Sequence, residues 1–146
     1  MNRIFDYYTL SKSIFIPLDG GKVFIFNGGD IKASASLPDD IGKGAATALV
    51  KRDSDQVRNR VLPIQSAVIT QNQIFGYVRD ANQAKSWDIV DLNTEDISRR
   101  SWEAFNKDDR SSETTRGFIV AGSFGAGLGL FDHVDNAVLG IQRMSQ

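Results

Sequence analysis

The sequence contains no cysteine and a single histidine, His133. The lack of cysteine excludes disulfide bonds, zinc sites built from thiolates, and cysteine nucleophiles. With one histidine, a metal site would depend on carboxylates, and the D-x-[DN]-x-[DN]-G pattern of a calcium-binding loop is absent. We therefore predict no metal and no cofactor, and a fold that is stabilised by packing alone.

The chain also lacks an excess of either charge. Its 17 Lys and Arg residues nearly balance its 18 Asp and Glu residues, for a formal net charge of -1. Non-specific binding to DNA or RNA relies on clustered cations. The main concentration of cations comprises Lys51, Arg52, Arg58 and Arg60, and nearby aspartates dilute it. We interpret this segment as a solvated loop, and nucleic acid is not an expected partner.

No long apolar run is present. A membrane-spanning helix needs ~20 apolar residues, and the longest candidate, 117–131, is interrupted by several glycines. Residues 1–10 carry Asp6 among aromatic side chains and lack the basic start and apolar stretch of a signal peptide. We expect no membrane contact and no secretion by a signal peptide. The expected location is the cytoplasm or an assembled virion.

Short apolar runs separated by turn residues favour β-structure. Residues 13–18 and 22–27 flank Asp19-Gly20-Gly21, whose glycines suit a tight turn, so they predict a β-hairpin. Residues 31–37 alternate apolar with polar side chains, which is typical of a half-exposed strand. A second hairpin is predicted from 61–70 and 74–79. Further strands are predicted at 45–51, 86–92 and 118–131.

One segment carries clear helix signals. Asn93 or Thr94 can cap it, Glu95 and Asp96 suit its first turn, and apolar residues recur at helical spacing as far as Phe105. We predict a helix near 95–106, with Trp102 packed inward, followed by a polar loop at 107–116. In the tail, 131–141 fits either a helix or a hairpin.

These elements predict an α+β fold that is mainly antiparallel β. We expect a small sandwich or barrel of six to eight strands, with one helix near 95–106 and a C-terminal helix as an open alternative. The length of 146 residues is typical of one domain, so residues 1–146 are expected to form a single unit.

Catalytic motifs are incomplete. The stretch Ala121-Gly122-Ser123-Phe124-Gly125 resembles a nucleophile elbow with alanine in place of the first glycine, and His133 follows with Asp132 or Asp135 beside it. However, the histidine is too near in sequence for the separate loop that such hydrolases use. The glycines up to Gly129 also lack the spacing and the lysine of a phosphate-binding loop. We predict no catalytic residues.

Aromatic residues provide the remaining functional signal, because large aromatics dominate protein interfaces. We predict interface roles for Phe5, Tyr7, Tyr8, Trp87 and Phe124. Trp87 lies between Ser86 and Asp88 at a strand start, where a core position is an equal alternative.

The sequence therefore favours contact over catalysis. The leading hypothesis is a non-enzymatic structural or assembly subunit that contacts copies of itself or a larger protein complex, for example as a virion or phage accessory protein. The first alternative is a small binding or inhibitor protein that acts on a protein partner through the 107–116 loop. The second alternative is a small serine hydrolase that uses Ser123 and His133.

Overall fold

The computed structural model describes residues 16–17, 20–125 and 129–144. This part of the chain contains four strands, β1 (Gly21–Phe26), β2 (Ala33–Ala35), β3 (Ala67–Ile69) and β4 (Trp87–Leu92). It also contains five α-helices: α1 (Pro38–Val50), α2 (Gln71–Ala81), α3 (Thr94–Asn106), α4 (Ser112–Phe124) and α5 (Asn136–Leu139). A 3₁₀ turn, Asn27–Gly29, follows β1 directly.

The strands form two separate two-stranded sheets. Strands β1 and β4 are parallel, with Gly21 opposite Trp87 and Phe26 opposite Leu92. Strands β2 and β3 are antiparallel, with Ala33 opposite Ile69. Parallel neighbours require a crossover connection, and here the crossover between β1 and β4 contains β2, α1, β3 and α2.

The two faces of the β1–β4 sheet are covered by different helices. On one face, Val23 and Ile25 pack against Phe75 and Val78 of α2. On the other face, Phe26 stacks on Phe124 of α4 with ring centroids 5.6 Å apart. Because successive strand residues point to opposite faces, β1 connects two small apolar cores.

The edge of β1 that faces away from β4 is completed by one side chain. The Phe26 N–H donates to Gln71 Oε1 at 2.8 Å, and Gln71 Nε2 donates to the Phe24 carbonyl at 3.2 Å. Gln71 is only 1% exposed. Its amide therefore takes the place of a third strand, because it supplies the acceptor and the donor that a neighbouring peptide group would supply.

A polar network holds the C-terminal segment. Gln65 N–H donates to Asn136 Oδ1 at 3.0 Å, and Asn136 Nδ2 donates back to the Gln65 carbonyl at 2.7 Å. The Met144 N–H donates to the Ser66 carbonyl at 2.8 Å. The three residues Gln65, Ser66 and Asn136 are all buried. They attach the chain around α5 to the segment that precedes β3.

The predicted mainly antiparallel sandwich or barrel of six to eight strands is wrong. The described residues contain only four short strands, and helices make up 46% of the structure against 15% for strands. The description of the chain as β-rich is wrong for the same reason, and no finding supports the virion or phage function suggested above.

Three segments predicted as strands are helical because helix caps and tertiary contacts outweigh local preference. Residues 45–51 belong mostly to α1. This helix begins at Pro38 and has two acidic residues in its first turn. Residues 74–79 lie in α2, where Thr70 and Gln73 form a reciprocal capping box. Much of 118–131 belongs to α4, which is capped by Ser111.

Glycine at 117 is explained by helix packing rather than by a strand. A Cβ at Gly117 would collide with the side chain of Ser101 on α3. Glycine therefore permits a close approach of α3 and α4, and these contacts offset its low helix propensity.

Other predictions are confirmed. Strands occur within 22–27, 31–37 and 86–92, and α3 begins after Asn93 as predicted. The partner of β1, however, is β4 rather than 13–18, of which Ile16 and Pro17 are described and lie outside any strand. The predicted loop at 107–116 is shorter, since α4 begins at Ser112, and the ambiguous tail contains the short helix α5.

We predict that Gln71→Leu lowers the free energy of unfolding by about 2 kcal/mol, because it removes the amide that bonds to the buried Phe26 N–H and to the half-buried Phe24 carbonyl. Urea denaturation monitored by circular dichroism measures this change. Gln83→Leu is the matched control, since Gln83 is exposed, and its effect should stay within about 0.5 kcal/mol. Equal effects of the two substitutions would contradict the role assigned to Gln71.

Candidate protein-binding surface

Helices α3 and α4 form a hairpin that presents aromatic side chains to solvent. The Asn93 side chain caps α3 by accepting from the N–H groups of Glu95 at 2.8 Å and Asp96 at 3.3 Å. From this start, Trp102 and Phe105 are three residues apart and lie on the same side of α3. That side is turned partly to solvent, since Trp102 is 54% exposed and Phe105 is 38% exposed.

Phe118 of α4 joins these two residues in one cluster, which we call the aromatic surface (Trp102, Phe105 and Phe118). Its ring centroid lies 4.9 Å from that of Trp102 and 6.0 Å from that of Phe105. All the rings meet edge to face, the arrangement that aromatic pairs favour. The guanidinium of Arg110 lies 3.8 Å from the centroid of the Phe105 ring, a cation–π contact at the rim.

The turn between α3 and α4 is held by Asp109. Its carboxylate accepts from the Ser111 N–H at 2.8 Å and from the Thr114 hydroxyl at 3.0 Å. These bonds, above all the one from the Ser111 backbone N–H, lower the pKa of Asp109. Arg110 is restrained as well, because it donates to the Phe105 carbonyl at 2.6 Å. The aromatic surface is thus supported by an ordered turn.

A cleft of about 660 Å³ adjoins the aromatic surface, where β1 and β4 end. Trp102, Ile31 and Ala121 line its apolar part. Asn27 lines the cleft and joins the elements around it. Its side chain donates to Thr94 Oγ1 at 2.7 Å and to the Phe124 carbonyl at 3.0 Å. Clefts at the carboxyl ends of parallel strands are common ligand-binding positions.

In the described structure, some charged groups of the cleft have ion-pair partners and one, Glu95, has none. Arg99 donates to Asp96 at 2.8 Å and to Glu103 at 3.3 Å. The hydrogen bond from Arg99 lowers the pKa of Asp96, and the bonds to both carboxylates raise the pKa of Arg99. Within the described chain, Glu95 forms no ion pair. The cleft therefore offers an apolar wall beside one uncompensated carboxylate.

The predicted interface residues lie in different places. Phe124 is buried at 7% exposure against Phe26, so little of its side chain is left to contact a partner. Trp87 is half-buried and meets the Phe75 ring edge-on at 5.6 Å. Phe5, Tyr7 and Tyr8 lie outside the described residues.

The elements of the incomplete serine elbow are not arranged as a triad. Ser123 lies in the last turn of α4, not on a turn from strand to helix. His133 is exposed, and among the described residues no hydrogen bond joins it to Ser123. Asp135 is instead paired with Arg60 at 3.2 Å. Over 16–17, 20–125 and 129–144, no group of three metal-ligating side chains is present.

The sequence did not reveal the exposed role of Trp102, which was predicted to pack inward. Phe118, its nearest aromatic neighbour, was assigned to a strand, so the pairing across two helices could not be foreseen. The spacing of Trp102 and Phe105 was the available signal. Charged residues on both sides of Trp102, at Arg99, Arg100 and Glu103, were the sign that this turn of α3 lies near solvent.

No family model, curated protein or solved structure matches this chain. In the part that is described, none of the helices has the length and apolar character needed to cross a membrane. The function is therefore inferred from the geometry of its surfaces.

We predict that acid weakens the α3–α4 hairpin through Asp109. Because the folded pKa lies below the unfolded value of about 3.9, Asp109 stabilises the fold above that pH, and this contribution is lost as pH falls through the folded pKa. Asp109→Asn should flatten the decrease in melting temperature between about pH 5 and about pH 2, measured by circular dichroism. Asp108→Asn, which lacks the capping bonds, should keep the wild-type decrease; equal flattening would refute the assignment.

Proposed function

We propose that this chain is a protein-binding domain that holds a segment of a partner polypeptide against the aromatic surface and inserts one apolar side chain of that segment into the adjoining cleft. The observation that carries the proposal is the position of Trp102, which belongs to the aromatic surface, lines the cleft and is more than half exposed.

The composition of the aromatic surface supports this role. Trp, Phe and Arg are enriched at protein interfaces, and Trp and Arg are frequent hot spots of binding energy. A single exposed apolar residue needs no explanation, whereas a contiguous exposed group indicates an interaction site. Here the exposed Trp102 and Phe105 are contiguous with the half-buried Phe118, and Arg110 extends the group at its rim.

A polypeptide fits this site better than a small molecule alone. A small molecule in the cleft would cover Trp102 but would leave the exposed Phe105 and the half-buried Phe118 outside it. Several polar groups of the cleft, including those of Asn27 and Asn93, already bond within the chain. Apolar contact and the Glu95 carboxylate therefore remain as the main determinants, and they suit an apolar residue followed or preceded by Lys or Arg.

The site also refines the earlier hypotheses about contact. The 107–116 loop was a candidate inhibitory loop, and the part of it that precedes α4 contributes Arg110 to the rim of the aromatic surface. The serine hydrolase hypothesis receives no comparable support, since Ser123 and His133 lack a shared hydrogen bond in the described structure.

We predict that a random peptide library, selected on the immobilised protein, yields peptides that share an apolar residue beside Lys or Arg. Trp102→Ala should weaken a selected peptide about 30-fold, because it removes a hot-spot aromatic. Glu95→Lys should weaken peptides with the basic residue and spare a variant peptide with Ala in its place. Isothermal titration calorimetry measures both effects.

Ile89→Ala provides the matched control, because Ile89 is 55% exposed on β4 and is not part of the cleft or the aromatic surface. Its peptide affinity should equal that of the wild type. Failure to enrich any peptide, or equal affinities of the Trp102→Ala and wild-type proteins for the selected peptide, would reject the proposal.

A further inference from the structure

Helix α1 exposes an apolar face. Gly44 is its one buried residue, and it faces Leu139 and Ile141. Successive helix residues are about 100° apart, so the exposed side of α1 carries a stripe of residues three and four apart. This outer face of α1 consists of Pro38, Ile41, Gly42, Ala45, Ala46 and Leu49, all of them exposed.

The outer face of α1 differs from an ordinary solvated helix face. A surface helix normally turns charged and polar residues to water, whereas the residues of this stripe are all apolar and the charged Asp39 and Lys43 lie along one margin of it. Ile41 is 52% exposed and Leu49 is 70% exposed, and they lie two turns apart on the same stripe. Val50 at the end of the helix is 87% exposed and extends the apolar area. Such a face indicates a contact.

We propose that the outer face of α1 pairs with the same face of a second copy of this chain, with the two helices antiparallel. A two-fold axis beside Ala45 places Ile41 of each copy opposite Leu49 of the other, since these residues are equally distant from Ala45 in the sequence. The apolar stripe is thereby self-complementary, as a two-fold interface requires.

The charges at the two ends of α1 favour antiparallel pairing with a second copy of the chain. Asp39 and Asp40 lie in the first turn, and Lys51 and Arg52 follow the last turn. Antiparallel pairing brings the acidic end of each copy to the basic end of the other. It also sets the positive end of each helix dipole beside the negative end of its neighbour. A parallel arrangement would bring like charges together at both ends.

Two of the four charged groups are already engaged within the chain. Asp40 accepts from the Ser66 hydroxyl at 2.5 Å, and Lys51 donates to the Val138 carbonyl at 2.7 Å. Asp39 has no ion pair in the described structure, and Arg52 makes only a loose contact of 3.7 Å with its neighbour Asp53. Asp39 and Arg52 are therefore the pair assigned to the contact between copies.

We predict that the purified chain sediments as a dimer at about 100 µM and dissociates on dilution toward about 1 µM, because an interface of this kind is small. Sedimentation velocity measures the equilibrium. Ala45→Arg places a charge at the two-fold axis and should give a monomer at every concentration. Trp102→Ala, which alters only the aromatic surface, should leave the dimer intact.

A charge exchange tests the antiparallel arrangement. Asp39→Lys and Arg52→Glu should each weaken the dimer about tenfold, since the two-fold axis repeats each substitution. The double variant restores opposite charges at both contacts and should recover the wild-type dissociation constant. Circular dichroism confirms that each variant keeps the wild-type helix content, and the recovery itself requires folded protein.

Several outcomes would overturn the proposal. A wild-type monomer at about 100 µM would exclude self-association, and species larger than a dimer would exclude the two-fold pairing. A double variant as weak as the single variants would exclude the Asp39–Arg52 contact. Loss of the dimer in Trp102→Ala with retention in Ala45→Arg would place the interface on the aromatic surface instead.

Discussion

The side-chain amide of Asn27 is the contact on which the arrangement of α3 and α4 depends. It donates to Thr94 Oγ1 and to the Phe124 carbonyl, and its oxygen accepts from the Thr94 N–H at 3.0 Å. Three elements therefore meet at one residue: the end of β1, the start of α3 and the end of α4. Asn27 has a φ of 51°, a left-handed conformation that asparagine tolerates better than most residues. This backbone conformation orients the side-chain amide so that it bonds to the Thr94 hydroxyl, the Thr94 N–H and the Phe124 carbonyl.

This contact explains how a small structure can hold an exposed aromatic surface. The apolar cores on the two sides of β1 are modest, and twelve large apolar side chains are exposed in the described part of the chain. Side-chain amides compensate, two of them buried and that of Asn27 half-buried, because each joins segments that are distant in sequence: Asn27 to α3 and α4, Gln71 to β1, and Asn136 to Gln65. Since a buried polar group without a partner is costly, these bonds determine which elements are neighbours.

The two proposed contact surfaces, the aromatic surface and the outer face of α1, differ in composition. The aromatic surface combines a tryptophan, a cleft and a carboxylate, features that select one side chain of a partner. The outer face of α1 is apolar and has opposite charges at its two ends, features that suit an identical helix. They lie on different elements, so a dimer formed through α1 would leave both copies of the aromatic surface accessible.

Elements with strong local signals could be predicted from the sequence. The short apolar runs that form β1 and β4, the Asn93 cap and the acidic first turn of α3 depend on neighbouring residues, and they were predicted correctly. By contrast, the helical state of 74–79 and 118–124, the pairing of β1 with β4 and the exposure of Trp102 depend on tertiary contacts. The reason is physical: Gly117 is favourable only because α3 approaches it, and Gln71 is needed only because β1 has an edge without a strand. Contacts between distant segments thus decided the outcome where local preferences were weak or opposed.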